Sequence, residues 1–130
     1  MGASGIGNFE NDDASDWIYE LEESSGFELL KATLQEVLDT AEELESPICC
    51  QALAAAEVVA ALGGFPGELP EEVVEWIKKA DRPKDDQLKK LATQAVQKIV
   101  ASSELKELWE ESGDVESWME QVQELLKRLK

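Results

Sequence analysis

One carboxylate stands apart from the other acidic residues because of its neighbours in the sequence. Glu57 is the single charged residue within the apolar run 48–62. A carboxylate buried in such a run needs hydrogen-bonding partners or a raised pKa. Glu57 could therefore act as a general base, or it could anchor the N-terminal segment through backbone N–H groups. We favour a third interpretation, a paired structural acid that fixes helix register, because structural networks also perturb acids.

A second set of candidate binding residues lies at the start of the first predicted helix. Asp12 and Asp16 are four residues apart and share a helix face, and clustered oxygens can bind Ca²⁺ or Mg²⁺. The spacing does not match an EF-hand loop, so helix capping and a solvated acidic face are the favoured interpretation. The full set of candidates is Glu57, Asn11, Asp12, Asp13, Asp16 and Trp17.

Other residue types narrow the chemistry further. The chain has no histidine, which argues against a zinc or non-haem iron site and against histidine-based acid–base catalysis. We predict no catalytic residue, no metal and no other cofactor. The four tryptophans and Phe65 could line a pocket or an interface, but at helical spacing such residues more often belong to the core. The four tryptophans are Trp17, Trp76, Trp109 and Trp118.

The two cysteines are adjacent, at Cys49 and Cys50. Neighbouring cysteines on a helix point in different directions and do not form an ordinary disulfide. Their apolar surroundings predict buried, inert thiols, which suits a reducing compartment.

Charge is distributed unevenly along the 130 residues, whose formal net charge is −17. Residues 1–72 contain 17 acidic residues and one basic residue, Lys31, whereas residues 73–130 contain 12 acidic and 11 basic residues. We expect a strongly negative side and a nearly neutral side. Such a field repels nucleic acid and anionic lipid and favours a basic protein partner or cations. The simpler interpretation is that the acidity maintains solubility.

We expect helices to position the candidate residues, because no segment shows the alternation of apolar and polar residues that is typical of a β-strand. A Gly-rich segment over residues 1–11 is expected to fold back, with Ile6 and Phe9 in a groove. Apolar periodicity predicts an all-α single domain over residues 1–130, an irregular antiparallel helical bundle of about six or seven helices. The predicted helices cover about residues 13–23, 25–45, 46–62, 70–80, 84–102, 103–112 and 114–130.

Local signals fix several helix ends. Ser25 and Glu28 form a capping box, Ser46 is a cap before Pro47 at the first helical position, and Ser103 is a further cap. Gly63-Gly64 and Gly113 end helices.

The run 48–62 is apolar nearly all round, which predicts a central helix. Its 15 residues, two of them polar, are too few to span a bilayer. No signal peptide is visible, so we expect a cytoplasmic location.

The N-terminal residues also carry a family resemblance. The opening Met1-Gly2-Ala3-Ser4-Gly5-Ile6-Gly7-Asn8-Phe9-Glu10-Asn11-Asp12-Asp13-Ala14 and the following Asp16-Trp17 resemble the bacterial domain of unknown function 4259. The runs 54–57 and 103–109 are similar to it as well. Members usually carry Trp where this chain has Ser4. The resemblance implies a small bacterial cytoplasmic protein and brings no activity, ligand or catalytic residue.

Three hypotheses for function follow. The first is a protein-interaction module that binds a basic partner, as an immunity-type antagonist of a basic toxin would. The second is a structural or accessory helical domain without catalysis. The third is an enzyme that uses carboxylates alone, with Mg²⁺ as an option, which would require several acids to converge on Glu57.

Overall fold

The computed structural model describes residues 7–24, 27–80 and 86–129. These residues form helices and no strand, which confirms the predicted all-α fold. The seven helices within them are α1 (Asp12–Glu23), α2 (Glu28–Asp39), α3 (Ser46–Leu62), α4 (Glu71–Lys79), α5 (Gln87–Ala101), α6 (Glu104–Ser112) and α7 (Val115–Arg128).

Helix α3 lies at the centre of the molecule, as its sequence predicts. Twelve of its 17 residues are buried, and it contacts each of the six other helices. Its many alanines let the neighbouring helices approach closely. The other helices are amphipathic and turn their apolar faces toward this core.

Helix α2 ends earlier than predicted, at Asp39 rather than near residue 45. The Lys98 ammonium donates to the carbonyls of Val37, Leu38 and Thr40 at 2.9, 3.4 and 2.6 Å. These bonds satisfy the carbonyls that a longer helix would use internally, so the chain can leave the helix at this point. Leu44 is still buried, but it reaches the core from the linker that joins α2 to α3.

Some predicted caps differ in the structure. Helix α2 begins after Phe27, without a side-chain cap, and Ser25 lies outside the described residues. Ser46 is the first residue of α3 rather than its cap, and its N–H donates to the Glu104 carboxylate at 2.8 Å. Ser103 does cap α6 by accepting from the Lys106 N–H at 3.1 Å.

The four tryptophans are buried, in agreement with a core role. Phe65 differs, since 56% of it is exposed. Gly64, with a φ of 97°, ends helix α3 in the left-handed region and directs the chain away from the core. Phe65 therefore lies on the surface, and the expectation that it belongs to the core is wrong.

Two residues of the N-terminal segment were expected in a groove. Phe9 is half-buried against the core, and Ile6 lies outside the described residues.

The helix arrangement brings acids from both parts of the chain together. The Glu104 N–H donates to the Leu44 carbonyl at 2.8 Å, which fastens the start of α6 to the α2–α3 linker. Acidic residues of the second half of the sequence thus lie beside those of the first. At this end of the molecule the two charge regions of the sequence are not two separate sides.

Both cysteines are buried, as predicted. Burial raises the pKa of Cys49 to about 11 and that of Cys50 to about 12. Because the thiolate is the reactive species, we expect neither thiol of the folded protein to react with a disulfide reagent at pH 8. Two thiols per chain should react after unfolding in urea, as measured by the release of the coloured thiolate. Rapid labelling of either cysteine before unfolding would contradict this prediction.

Candidate functional site

Among the described residues, a buried network of polar side chains is centred on Glu57. This carboxylate is 5% exposed and lies on the central helix α3. Its Oε1 accepts from Arg128 Nη1 at 2.8 Å, and its Oε2 accepts from Arg128 Nη2 at 3.2 Å. The side-chain amide of Asn8 also donates to Oε2, at 2.8 Å. The central helix thereby holds both the N-terminal segment and the last helix.

A tight turn presents Asn8 to this site. The Glu10 N–H donates to the Gly7 carbonyl at 3.0 Å, and the Gly7 N–H donates to Glu10 Oε1 at 3.2 Å. Asn11 then caps α1, since its Oδ1 accepts from the Ala14 N–H at 2.7 Å. The turn and the cap fix the backbone on both sides of Asn8, so its side chain points inward and is buried.

Arg128 is supplied by the last turn of α7, where a cation also suits the helix dipole. Besides Glu57, it contacts Glu124 one turn earlier, with Nε donating to Glu124 Oε1 at 3.0 Å. Its Nη1 is also 3.4 Å from the Phe65 carbonyl oxygen. The hydrogen bond to Glu57 raises the pKa of Arg128 above its ordinary value, so the guanidinium remains charged at every relevant pH.

Both oxygens of the Glu57 carboxylate therefore accept hydrogen bonds, one at Oε1 and two at Oε2. No buried side-chain nitrogen or oxygen among the described residues lacks a hydrogen-bond partner. A general base must take up a proton from a substrate, whereas the Glu57 oxygens are already held by charge-assisted bonds to Arg128 and Asn8. This arrangement agrees with the interpretation of Glu57 as a paired structural acid. Glu57 does anchor the N-terminal segment, but it does so through the Asn8 side chain rather than through backbone N–H groups.

A cleft of about 640 Å³ opens beside this contact, which is within the range of ligand sites in proteins. The N-terminal turn, the α3–α4 linker and one face of α7 form its walls. Its lining combines the buried Glu57–Arg128 pair with apolar side chains and further carboxylates. The lining residues are Gly7, Asn8, Phe9, Glu10, Glu57, Gly67, Glu68, Leu69, Pro70, Gln121, Glu124 and Arg128.

The other predicted candidates lie away from the cleft. Asp12 and Asp16 are exposed on α1, and Asp13 is half-buried. Trp17 is fully buried, with its indole N–H donating to Thr33 Oγ1 at 2.9 Å. Asn11 serves as the α1 cap described above. Of the six candidates, Glu57 alone lines the cleft.

Sequence reasoning missed the partners of Glu57. Arg128 and Asn8 are 71 and 49 residues from it in the chain, and no local pattern connects them. One weak signal was present, since Glu124 and Arg128 are four residues apart on the predicted last helix. Asn8 and Gln121, whose side chains meet at 3.4 Å, carry no signal in a single sequence.

Two acids at the other end of the molecule repel each other. Glu107 of α6 lies within hydrogen-bonding reach of Glu43 in the α2–α3 linker, and this contact raises the pKa of Glu107 above its ordinary value of 4.5. Glu104 and Glu110 add to the effect. The repulsion is present only while both carboxylates are ionised.

This pair predicts a pH effect on stability. Glu107 binds its proton more tightly in the folded chain than in the unfolded chain, so its contribution to stability falls as the pH rises from 4.5 through the raised pKa. Glu107→Gln should remove this contribution, so its melting temperature relative to that of the wild type should increase between pH 4.5 and pH 7. Parallel melting curves for the two proteins across this range would contradict the prediction.

Neither a metal site nor a membrane span is found in the part of the chain that the structure describes. These residues contain no group of three or more His, Cys, Asp or Glu side chains that could hold a metal ion. Their helices include none with the length and apolar character needed to cross a bilayer.

The fold and the site define a small all-α protein, organised around a central apolar helix that carries one buried carboxylate paired with an arginine. The model of the family described as domain of unknown function (DUF4259) matches residues 2–121. The chain belongs to this family, which confirms the resemblance of its N-terminal residues. Comparisons with curated proteins and with solved structures gave no match.

Proposed function

We propose that this protein is an interaction module that binds a basic protein partner, in the manner of an acidic antagonist. The supporting observation is the uncompensated acidity of its surface. Between residues that the structure describes there are three ion pairs, and they involve only Glu57, Glu75 and Glu124 among the acids. The net charge of the chain is −17, and most carboxylates of the described residues have no basic partner among those residues.

The Glu43–Glu107 contact shows the energetic consequence of this surface. Two carboxylates held close together cost the folded state stability, and a cation placed near them would relieve the repulsion. A field of this sign also accelerates encounter with a basic protein and loses strength as salt screens it. The partner should therefore bind fast at low ionic strength and weakly at high ionic strength.

The test is a pull-down from the native lysate at low and at high salt, with the bound proteins identified by mass spectrometry. The proposal expects a basic protein that is retained at low salt and released at high salt. Its affinity for the purified partner should then fall steeply with salt in a titration. Absence of any basic protein from the low-salt fraction would refute the proposal.

A structural or accessory domain without catalysis is the second candidate. The network around Glu57 supports it, because a satisfied buried ion pair serves to hold elements together. The third hypothesis, an enzyme that uses carboxylates, is weakened because the oxygens of Glu57 are already bonded to Arg128 and Asn8. We further propose that the protein is bacterial, as the family resemblance implies, and cytoplasmic, which its two free cysteines suit.

A further inference from the structure

We propose that the cleft beside Glu57 takes a basic peptide segment of the partner, with a lysine or arginine side chain between Glu68 and Glu124. This inference rests on the function proposed above and gives it a location. Four features of the cleft support it: its charge, its apolar wall, an open stretch of backbone and a hydrogen-bonded floor.

The charge of the lining favours a cation. Arg128 is shared by Glu57 and Glu124, so its single positive charge does not neutralise both. Glu68 is exposed and makes no ion pair with any described residue. The side chain of Glu124 is 65% exposed, so its carboxylate can reach an incoming group while it contacts Arg128. A guanidinium or ammonium group placed here would add the missing positive charge.

The apolar wall favours a long basic side chain over a bare ion. Phe9, Leu69 and Pro70 line the same cleft, and all three are only partly buried. Lysine and arginine side chains lay their aliphatic stems along apolar surface and keep their charged heads at polar groups. A hydrated metal ion would gain nothing from these walls.

The backbone beside the wall favours a peptide over a free amine. In the described part of the chain, the backbone groups of Gly67, Glu68 and Leu69 make no hydrogen bonds. They form one wall of the cleft, so their N–H and C=O groups are available to an extended main chain. Gly67 also lets the chain pass close to the guanidinium of Arg128, since a Cβ atom there would lie 2.8 Å from Arg128 Nη1.

The floor of the cleft is already held by hydrogen bonds, which lowers the cost of binding. The Glu57–Arg128 pair and Asn8 are held by the bonds described above, so they need not reorganise when a peptide arrives. In this cleft a basic segment would gain contacts of shape as well as of charge.

The first test is an NMR titration of the full chain with the blocked tetrapeptide Ala-Lys-Arg-Ala. The amide signals of Gly67, Glu68 and Leu69 and the side-chain amides of Asn8 and Gln121 should shift, whereas the four tryptophan indole signals should not. The double variant Glu68→Gln/Glu124→Gln should weaken binding roughly fivefold to tenfold. The matched control Glu36→Gln/Glu42→Gln makes the same change of charge on exposed residues outside the cleft lining and should stay within about twofold of the wild type.

Three outcomes would overturn the inference. Shifts that lie elsewhere, or equal weakening by both double variants, would show that only overall charge matters. Butylamine that produces the same shifts with the same affinity would assign the cleft to free amines rather than to a peptide.

The partner pull-down separates this inference from the proposed function. If the wild type and Glu68→Gln/Glu124→Gln capture the same basic protein equally well, the cleft is not the docking place, although the proposed function survives. If the wild type captures no basic protein at low salt, the proposed function itself fails. Selective loss of capture by the cleft variant supports both.

Discussion

Replacing Arg128 with methionine is expected to lower the free energy of unfolding by about 3 kcal/mol. Methionine keeps much of the aliphatic packing but removes both guanidinium bonds to Glu57. The carboxylate would then be buried with only the Asn8 amide as a partner. The side chain of Arg128 is itself 15% exposed, so some water can enter, and the effect should lie at the lower end for a broken buried pair. Urea unfolding followed by circular dichroism measures it.

Changing the other member of the pair should cost less. Glu57→Gln is expected to lose about 1–2 kcal/mol, because it leaves Arg128 with Glu124 and with access to solvent rather than leaving a buried charge. In the double variant Glu57→Gln/Arg128→Met, the loss should be smaller than the sum of the two single losses. Additive losses, or an Arg128→Met variant as stable as the wild type, would contradict the role of this pair.

Lys98→Met is expected to lower the free energy of unfolding by about 2 kcal/mol. The ammonium of Lys98 binds three carbonyls at the end of α2, and methionine offers them no donor. Helix α2 should then fray at its C-terminal turn, which increased amide hydrogen exchange of residues 39–41 would reveal. Lys90→Met, at an exposed position of the same helix α5, is the control and should change stability by less than about 0.5 kcal/mol. Equal effects of the two variants would contradict a capping role.

Most of the fold could be predicted from the sequence, because the helices follow from local apolar periodicity. The apolar run 48–62 predicted a central helix, and the structure buries it on all sides. Ser103 and Gly113 predicted the two ends of α6, and both have the capping geometry expected of them. Such signals act over three or four residues, so a single sequence contains them in full.

The site depended on contacts that no local pattern encodes. Glu57 was recognisable because a charge in an apolar run must have partners, but nothing identified those partners as Asn8 and Arg128. The early end of α2 was missed for the same reason, since Lys98 acts across about 60 residues of sequence. Periodicity predicts which face of a helix is buried, whereas it does not predict which distant side chain meets which.

The way in which Glu57 joins distant parts of the chain also bears on the order of folding. Its bonds to Asn8 and Arg128 close loops of 49 and 71 residues, and the contact of Gln121 with Asn8 spans 113. We expect contacts of such separation to form after local helix pairs have docked, because the chain loses loop-closure entropy before they can form. Weakening them should therefore leave the refolding rate nearly unchanged and accelerate unfolding. The Asn8–Glu57–Arg128 contact would then determine how long the native state persists rather than how quickly it is reached.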